Sequence, residues 1–255
     1  MMSSASNKSD RRTDPALLMA AVSQTKIAIW DWPVRVTHWA FALIIPAMWW
    51  TAENSQMGWH KRLGLLLLAL VIFRFLWGLA GTETARFARF VKAPATLINA
   101  VIAALSRKPG PPEEPIGHGT IGGWSTLVLL GAILTQISLG LFAGDPFDGA
   151  TGPLNSLVGV SLADRLTDWH ETFFWALIGL IAVHLCAIAF YHFVSRRNLV
   201  GPMISGMGQV NGLDIREGAA LKNGISPASL PRVLACAAIS ALIVAAIASG
   251  ILVPA

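Results

Sequence analysis

Five long apolar runs dominate the chain, at roughly 36–52, 59–80, 121–143, 168–194 and 233–253. Each approaches the roughly 20 residues an α-helix needs to cross about 30 Å of hydrocarbon, so the pattern predicts membrane-spanning helices. The first run contains Pro46, which a membrane helix tolerates when neighbours satisfy the freed carbonyl. Segment 81–120 begins amphipathic (TARFARFVKAPATLINAVIAAL), with basic and apolar residues interleaved at helical spacing. That predicts a helix lying on the inner membrane surface. The segment ends in RKPGPPEEP, a Pro-rich linker. The stretch 144–167, with Asp145-Pro146, Gly149 and Gly152-Pro153, reads as a turn-rich loop, and 198–230 as a polar, Gly-rich linker.

Composition agrees with this reading. Hydrophobic residues make up 54% of the 255 and charged residues 13%, with a mean hydropathy of +0.59, far from a soluble domain. Charge placement predicts orientation. Lys8, Arg11, Arg12, Lys26 and Arg35 precede the first run, Arg86, Arg89, Lys92, Arg107 and Lys108 follow the second, and Arg196, Arg197, Arg216, Lys222 and Arg232 follow the fourth. The opposite side holds only Lys61, Arg62 and Arg165, with Glu53, Asp145, Asp148, Asp164 and Asp168. The positive-inside rule then puts the N-terminus in the cytoplasm and the C-terminus outside. The basic pI near 9.7 is thus a topology signal and does not point to nucleic acid. Residues 1–28 are expected to be a disordered cytoplasmic tail. Their short apolar patch PALLMAAV follows Asp14 directly, which argues against a signal peptide.

Ten tryptophans fall near the two expected boundaries: Trp30, Trp32, Trp39, Trp77 and Trp124 inside, Trp49, Trp50, Trp59, Trp169 and Trp175 outside. An aromatic belt and packing on a cofactor are both open roles for them. The two cysteines, Cys186 and Cys236, lie inside apolar runs and read as small core residues; no C-x-x-C-H motif occurs, which excludes covalent c-type haem attachment.

The chemistry rests on histidines. His170 and His184 share one apolar run, fourteen residues apart. That spacing turns a helix to within about 40° of four whole turns, so both rings leave nearly the same face. They stand about 21 Å apart along the axis, one toward each side of the bilayer. His38 begins the first run on the inner side and His60 the second on the outer side. Depth pairs His60 with His170 and His38 with His184, which predicts two bis-histidine haem sites, one near each face. A single histidine at a span end is ordinarily an interfacial residue; four matched by depth favour ligation.

Other polar residues keep two roles each. Arg74, fourteen residues after His60 on the same face, either pairs with a propionate of the inner haem or snorkels to the interface. Arg35, one turn before His38, is a weaker propionate candidate. Lys61 and Arg62 serve the outer haem or are simply solvated. Gly64, one turn after His60, makes room for a porphyrin edge or for helix packing. His192 reads as interfacial, His118 as a loop residue near a quinone site, and Gln136 as an interhelical hydrogen-bonding residue.

These residues sit within segments that resemble a known family. WDWPVRVTHW at 30–39, GWHKRLG at 58–64, FRFLWGLAGT at 73–82, ARFARFVKAP at 85–94, GH at 117–118, GPL at 152–154 and WHE at 169–171, with His184 following, are similar to the bacterial cytochrome b561 family. That family includes the di-haem cytochrome b subunits of nickel–iron hydrogenases. The resemblance spans about 29–207. It implies a four-helix bundle holding two b haems on His38, His60, His170 and His184, and electron transfer between an outer-face partner and membrane quinone. The loop reads Gly-His-Gly-Thr where the family usually continues Gly-His-Asn-Pro, which bears on any quinone or partner role of His118.

The expected fold is all-α and integral to the membrane: a four-helix transmembrane haem-binding bundle plus a fifth C-terminal transmembrane helix. The domains are a tail at 1–28, a di-haem domain at 29–207, a linker at 208–230 and the extra helix at 231–255. The expected setting is a bacterial inner membrane. The expected partners are the lipid bilayer, quinone and a periplasmic hydrogenase, dehydrogenase or c-type cytochrome docking near the acidic loop 144–168. Two rivals stand beside this. One is a self-sufficient oxidoreductase acting on superoxide or ferric chelate, with Lys61 and Arg62 drawing in the anion. The other is a haem-free anchor or sensor with structural histidines.

Overall fold

A computed structural model describes residues 25–106, 117, 119–145, 150–210 and 225–249. The expected tail up to residue 24, the Pro-rich linker, His118, Asp148 and most of the linker before the last helix lie outside the described residues. Within them the chain is mostly helical. Strand β1 (Thr25–Ala28) leads into α1 (Trp32–Glu53), α2 (Met57–Ala80), the short α3 (Phe87–Phe90), α4 (Pro94–Leu105) and α5 (Thr120–Phe142). Two two-residue strands, β2 (Gly144–Asp145) and β3 (Ala150–Thr151), pair before α6 (Val160–Phe193). Helix α7 (Val200–Ser205), strand β4 (Met207–Val210) and α8 (Leu230–Ala248) complete the order.

Among the described residues four helices, α2, α5, α6 and α8, are long and apolar enough to cross a membrane. Helix α1 is 22 residues long but falls short on apolarity, because Trp32, Arg35, His38, Trp39, Trp49 and Trp50 dilute it. It runs unbroken through Pro46. The expected surface helix is split in two: Pro94 lacks an N–H and starts α4 instead of continuing α3. Helix α6 begins eight residues earlier than the apolar run suggests. No Gly or Pro follows Gly159 to stop it, so the polar stretch VSLADRLT simply extends the helix beyond its apolar part.

Helix α2 is the hub, packing on α1, α5 and α8, while α6 packs on α5. The central core joins Ile45 of α1, Leu67, Leu68 and Val71 of α2, Ile133 and Ile137 of α5, and Leu177 of α6. A second cluster at one end gathers Trp30, Val34, Phe73, Trp77, Val233 and Cys236. Trp77 (1% exposed) and Trp30 (7%) are therefore core residues, not members of an interfacial belt. Trp32, Trp39, Trp49, Trp50, Trp59, Trp169 and Trp175 are exposed.

Asp31 organises that end. As N-cap of α1 its Oδ1 accepts the Val34 N–H at 2.8 Å. Its Oδ2 accepts from Trp77 Nε1 at 2.8 Å and from the Thr82 hydroxyl at 2.6 Å. One carboxylate thus joins the start of α1 to the end of α2.

A second tie closes the same end. β1 pairs antiparallel with β4, so residues 25–28, expected in the tail, and 208–210, expected in the linker, are ordered as strands. Lys26 is exposed and Ile27 buried, the alternation a half-buried strand requires. The Ile29 and Trp30 N–H groups both donate to the Gly206 carbonyl, at 2.8 and 3.1 Å. Gly206 ends α7 with φ +81°, the left-handed conformation that favours glycine. A Cβ there would strike the Arg35 guanidinium and the Trp30 carbonyl.

Candidate functional site

Two of the four histidines meet directly. The rings of His60, in the first turn of α2, and His170, in α6, have centroids 6.2 Å apart and planes at 85°. His60 Nδ1 lies 3.0 Å from the Met48 carbonyl of α1. His170 Nδ1 lies 2.9 Å from the Gln136 carbonyl of α5. A carbonyl only accepts, so each bond requires Nδ1 to carry the proton, and that leaves each Nε2 with a free lone pair. Orientation of an imidazole through an Nδ1–H bond to a backbone carbonyl is what metal-ligating histidines usually show.

Neighbours hold both rings. Thr51, buried in the last turn of α1, donates its hydroxyl to the same Met48 carbonyl at 2.8 Å. Gln136 Nε2 donates to the His170 carbonyl at 2.8 Å, so residue 136 grips His170 through both side chain and backbone. Gln136 Oε1 is buried without a hydrogen-bond partner. Gly140, one turn further along α5, leaves the space His170 fills: a Cβ there would lie 2.8 Å from its Cε1.

His38 Nδ1 is buried without a hydrogen-bond partner, and its ring stands edge-on to Trp39 at 5.2 Å. The structure thus brings His60 and His170 into direct contact, as their shared depth suggested.

The fit to haem can be tested on these observations. Two metal–nitrogen bonds of about 2 Å each, with half an imidazole on either side, add to about 6 Å between ring centres, the separation found for His60 and His170. Only 6% of the most apolar stretch of α6 is buried by protein, against 39% for α2; the helix carrying His170 and His184 is left largely uncovered. The described residues contain no cluster of three or more His, Cys, Asp and Glu side chains, and the histidines come in pairs. The residues present fit a bis-histidine haem.

The other candidates scatter. Arg74 is buried (3% exposed), with its guanidinium over the Phe87 ring at 5.1 Å and Nη1 donating to the Ala85 carbonyl at 3.4 Å. Asp31 is the charge that acts on it. Arg35 Nη1 donates to the Ser205 carbonyl at 3.1 Å, while its Nε is buried with no partner. Lys61 and Arg62 are exposed, Arg62 lying over Trp59 at 5.2 Å. The nearest atom to a Cβ on Gly64 is Met48 Cε, at 3.4 Å. His192 is exposed and edge-on to Phe193.

Sequence reasoning missed Gly140 and the Met48 carbonyl, and read Gln136 only as a generic hydrogen-bonding residue. A glycine that makes room and a main-chain acceptor leave no spacing signal.

Facing histidines in an apolar helical bundle define a multi-pass membrane protein equipped to grip a flat metal cofactor. A family model described as prokaryotic cytochrome b561 matches residues 29–206, and the chain belongs to that family: it is a membrane cytochrome with haem b as cofactor, acting in electron transfer. Two relatives are each described as a probable Ni/Fe-hydrogenase B-type cytochrome subunit. One, from Bradyrhizobium diazoefficiens, is 24% identical over 244 residues, covering 81% of this chain and 98% of its own. The other, from Azotobacter chroococcum, is 24% identical over 214 residues, covering 72% of this chain and 88% of its own. No solved structure matches the chain.

Proposed function

We propose that this chain is a di-haem cytochrome b carrying electrons across a bacterial inner membrane between a periplasmic redox protein and the quinone pool. His60 and His170 hold the outer haem, and His38 and His184 the inner one. The observation that carries this is the His60–His170 pair: rings with centres 6.2 Å apart, each held at Nδ1 by a backbone carbonyl, with only the Gln136 amide, at 3.5 Å, near the His170 Nε2. Held between two such imidazoles, haem would supply single-electron exchange and would not readily bind oxygen. The protein's part is to hold the rings, exclude water and set the local dielectric.

Arg35, with a buried unspent Nε one turn from His38, is the better propionate partner for the inner haem. Arg74 is a second, its charge partly met by Asp31. Gly64 opens space beside the outer haem, and Lys61 and Arg62 attend its solvent side. Helices α1, α2, α5 and α6 form the haem-binding core within 29–207, and α8 is an added fifth span. The clustering of basic residues on one side supports a cytoplasmic N-terminus and a periplasmic C-terminus. The relatives' description favours a hydrogenase as partner, with a dehydrogenase or c-type cytochrome as alternatives.

The test is a pyridine haemochrome spectrum of detergent-purified protein with haem counted per chain, followed by oxidation of the reduced protein with a quinone analogue. Two b haems, both oxidised, are expected; a single haem, or none, would overturn the pairing. The exposed Lys61 and Arg62 beside His60 favour a second reading, direct reaction with superoxide or a ferric chelate. Turnover of such a species by the isolated chain would support it.

A further inference from the structure

Outside the histidine pairs, a cavity of about 450 Å³ lies where the end of α2 meets the start of α8. Its lining is both cationic and apolar. Arg86 and Arg232 line it, with Ser229, the Thr82–Glu83 turn, Leu79 and Trp77. Both arginines are exposed, and neither guanidinium donates a hydrogen bond among the described residues. The acidic neighbour is already engaged: Glu83 Oε1 accepts from the Ser226 hydroxyl at 3.0 Å and Oε2 from the Ser226 N–H at 3.2 Å. Arg86 is near enough to act on the Glu83 carboxylate, but two arginines against one carboxylate leave the lining a net positive charge.

Place and shape narrow the ligand. Helices α2 and α8 are both apolar enough to span, so a cavity at their adjoining ends sits at a membrane boundary. One wall, Leu79, is 72% exposed and would face acyl chains, while Trp77 closes the floor at 1% exposed. Ser229 gives α8 no side-chain cap, and the first-turn N–H groups that remain beside Pro231 add partial positive charge at the same point. Guanidinium groups bind phosphate oxygens through two parallel hydrogen bonds. Basic pockets between spans at the boundary are where anionic lipid headgroups bind.

We propose that this cavity holds the phosphodiester headgroup of an anionic phospholipid, with one acyl chain lying along Leu79. Because α8 lies beyond the segment shared with the family, the lipid joins the added helix to the haem-binding core, and the proposal stands independently of how haem is ligated.

The full-length protein, purified from membranes in mild detergent, is offered phosphatidylglycerol or phosphatidylcholine and weighed by native mass spectrometry. Wild-type protein is expected to retain a single phosphatidylglycerol in preference to phosphatidylcholine. Each arginine contributes about fivefold to retention, so Arg86→Gln with Arg232→Gln lowers it about twenty-five-fold. Arg89→Gln, on exposed α3 outside the cavity, leaves it unchanged. Should the double variant fail to fold, Arg232→Gln alone is read against its fivefold expectation. Equal retention by the double variant, or no preference between lipids, overturns the proposal. Displacement of the lipid by millimolar inorganic phosphate, with equal thermal stabilisation by phosphate alone, overturns it in favour of a free-anion site.

Discussion

Gly140→Ala is the sharpest probe of the histidine geometry. The new methyl carbon would sit 2.8 Å from His170 Cε1 and 3.1 Å from Nδ1. Ordinary carbon contacts need about 3.5–4.0 Å, so the ring must retreat from α5 by about 1 Å. The Nδ1–H bond to the Gln136 carbonyl, now 2.9 Å, would stretch toward 4 Å, past the limit of about 3.2 Å for a real hydrogen bond. A metal–nitrogen bond near 2 Å cannot absorb such a shift, and losing an outer-shell anchor typically lowers metal affinity about 10–100-fold. The variant should purify with the inner haem intact and the outer haem depleted or shifted in potential, read by haem count and optical redox titration. Gly131→Ala is the control on the same helix, since a Cβ there meets nothing within 4 Å; it should keep both haems and gain about 0.5–1 kcal/mol from the lost glycine flexibility. If Gly140→Ala retained both haems at unchanged potentials, the reading of His170 as a ring locked in place for ligation would be refuted.

Removing single ligands should divide the cofactors: His60→Ala and His38→Ala each purify with about half the wild-type haem, and loss of both haems from either would mean that the two sites are not separate. The 85° angle between the His60 and His170 planes should give the oxidised outer haem a strongly anisotropic low-spin paramagnetic resonance signal; the rhombic signal of parallel planes would contradict that geometry. Asp31→Ala removes an N-cap worth about 1 kcal/mol and strands the Trp77 and Thr82 donors at about 1–3 kcal/mol each. Stability to thermal unfolding in detergent should fall by about 3–7 kcal/mol in all, with Asp31→Asn, still a good cap, falling less. At Glu83 partial burial works to raise the pKa, but hydrogen bonds from its own backbone and from Ser226, with Arg86 nearby, outweigh it and hold the group below its ordinary 4.5. A lowered folded-state value means the tie is complete above 4.5 and lost as acid protonates the carboxylate. The stability gap between wild type and Glu83→Gln should therefore exist at neutral pH and close on acidification; a gap that persisted in acid would contradict this.

The long helices were legible because a bilayer demands an apolar run of fixed length, and the runs near 59–80 and 121–143 end within two residues of α2 and α5. The His60–His170 contact was legible because depth along a span is arithmetic on helix rise. What escaped depends on residues distant in sequence. The TKIA segment carries no strand signal until Met207–Val210 lies beside it. Asp31 sits in WDWPVRVTHW, and nothing in its neighbourhood announces Trp77 and Thr82 as partners. Arg74 shares a face with His60, but the loop that brings Phe87 and Ala85 over it is set by tertiary packing, which periodicity does not report. The early start of α6 was hidden by its polarity, since a search for apolar runs stops where the helix leaves lipid.

The pairing of β1 with β4 has a consequence for biogenesis. The strand that opens the described chain finds its partner only after α6 and α7 have been made, so α1 reaches the bilayer long before its end can be latched. During synthesis His38 waits on a helix whose start stays unfastened until residue 210 has left the ribosome. Latching of α1 is therefore a late event in the protein's assembly, completed while the remaining helix is still emerging.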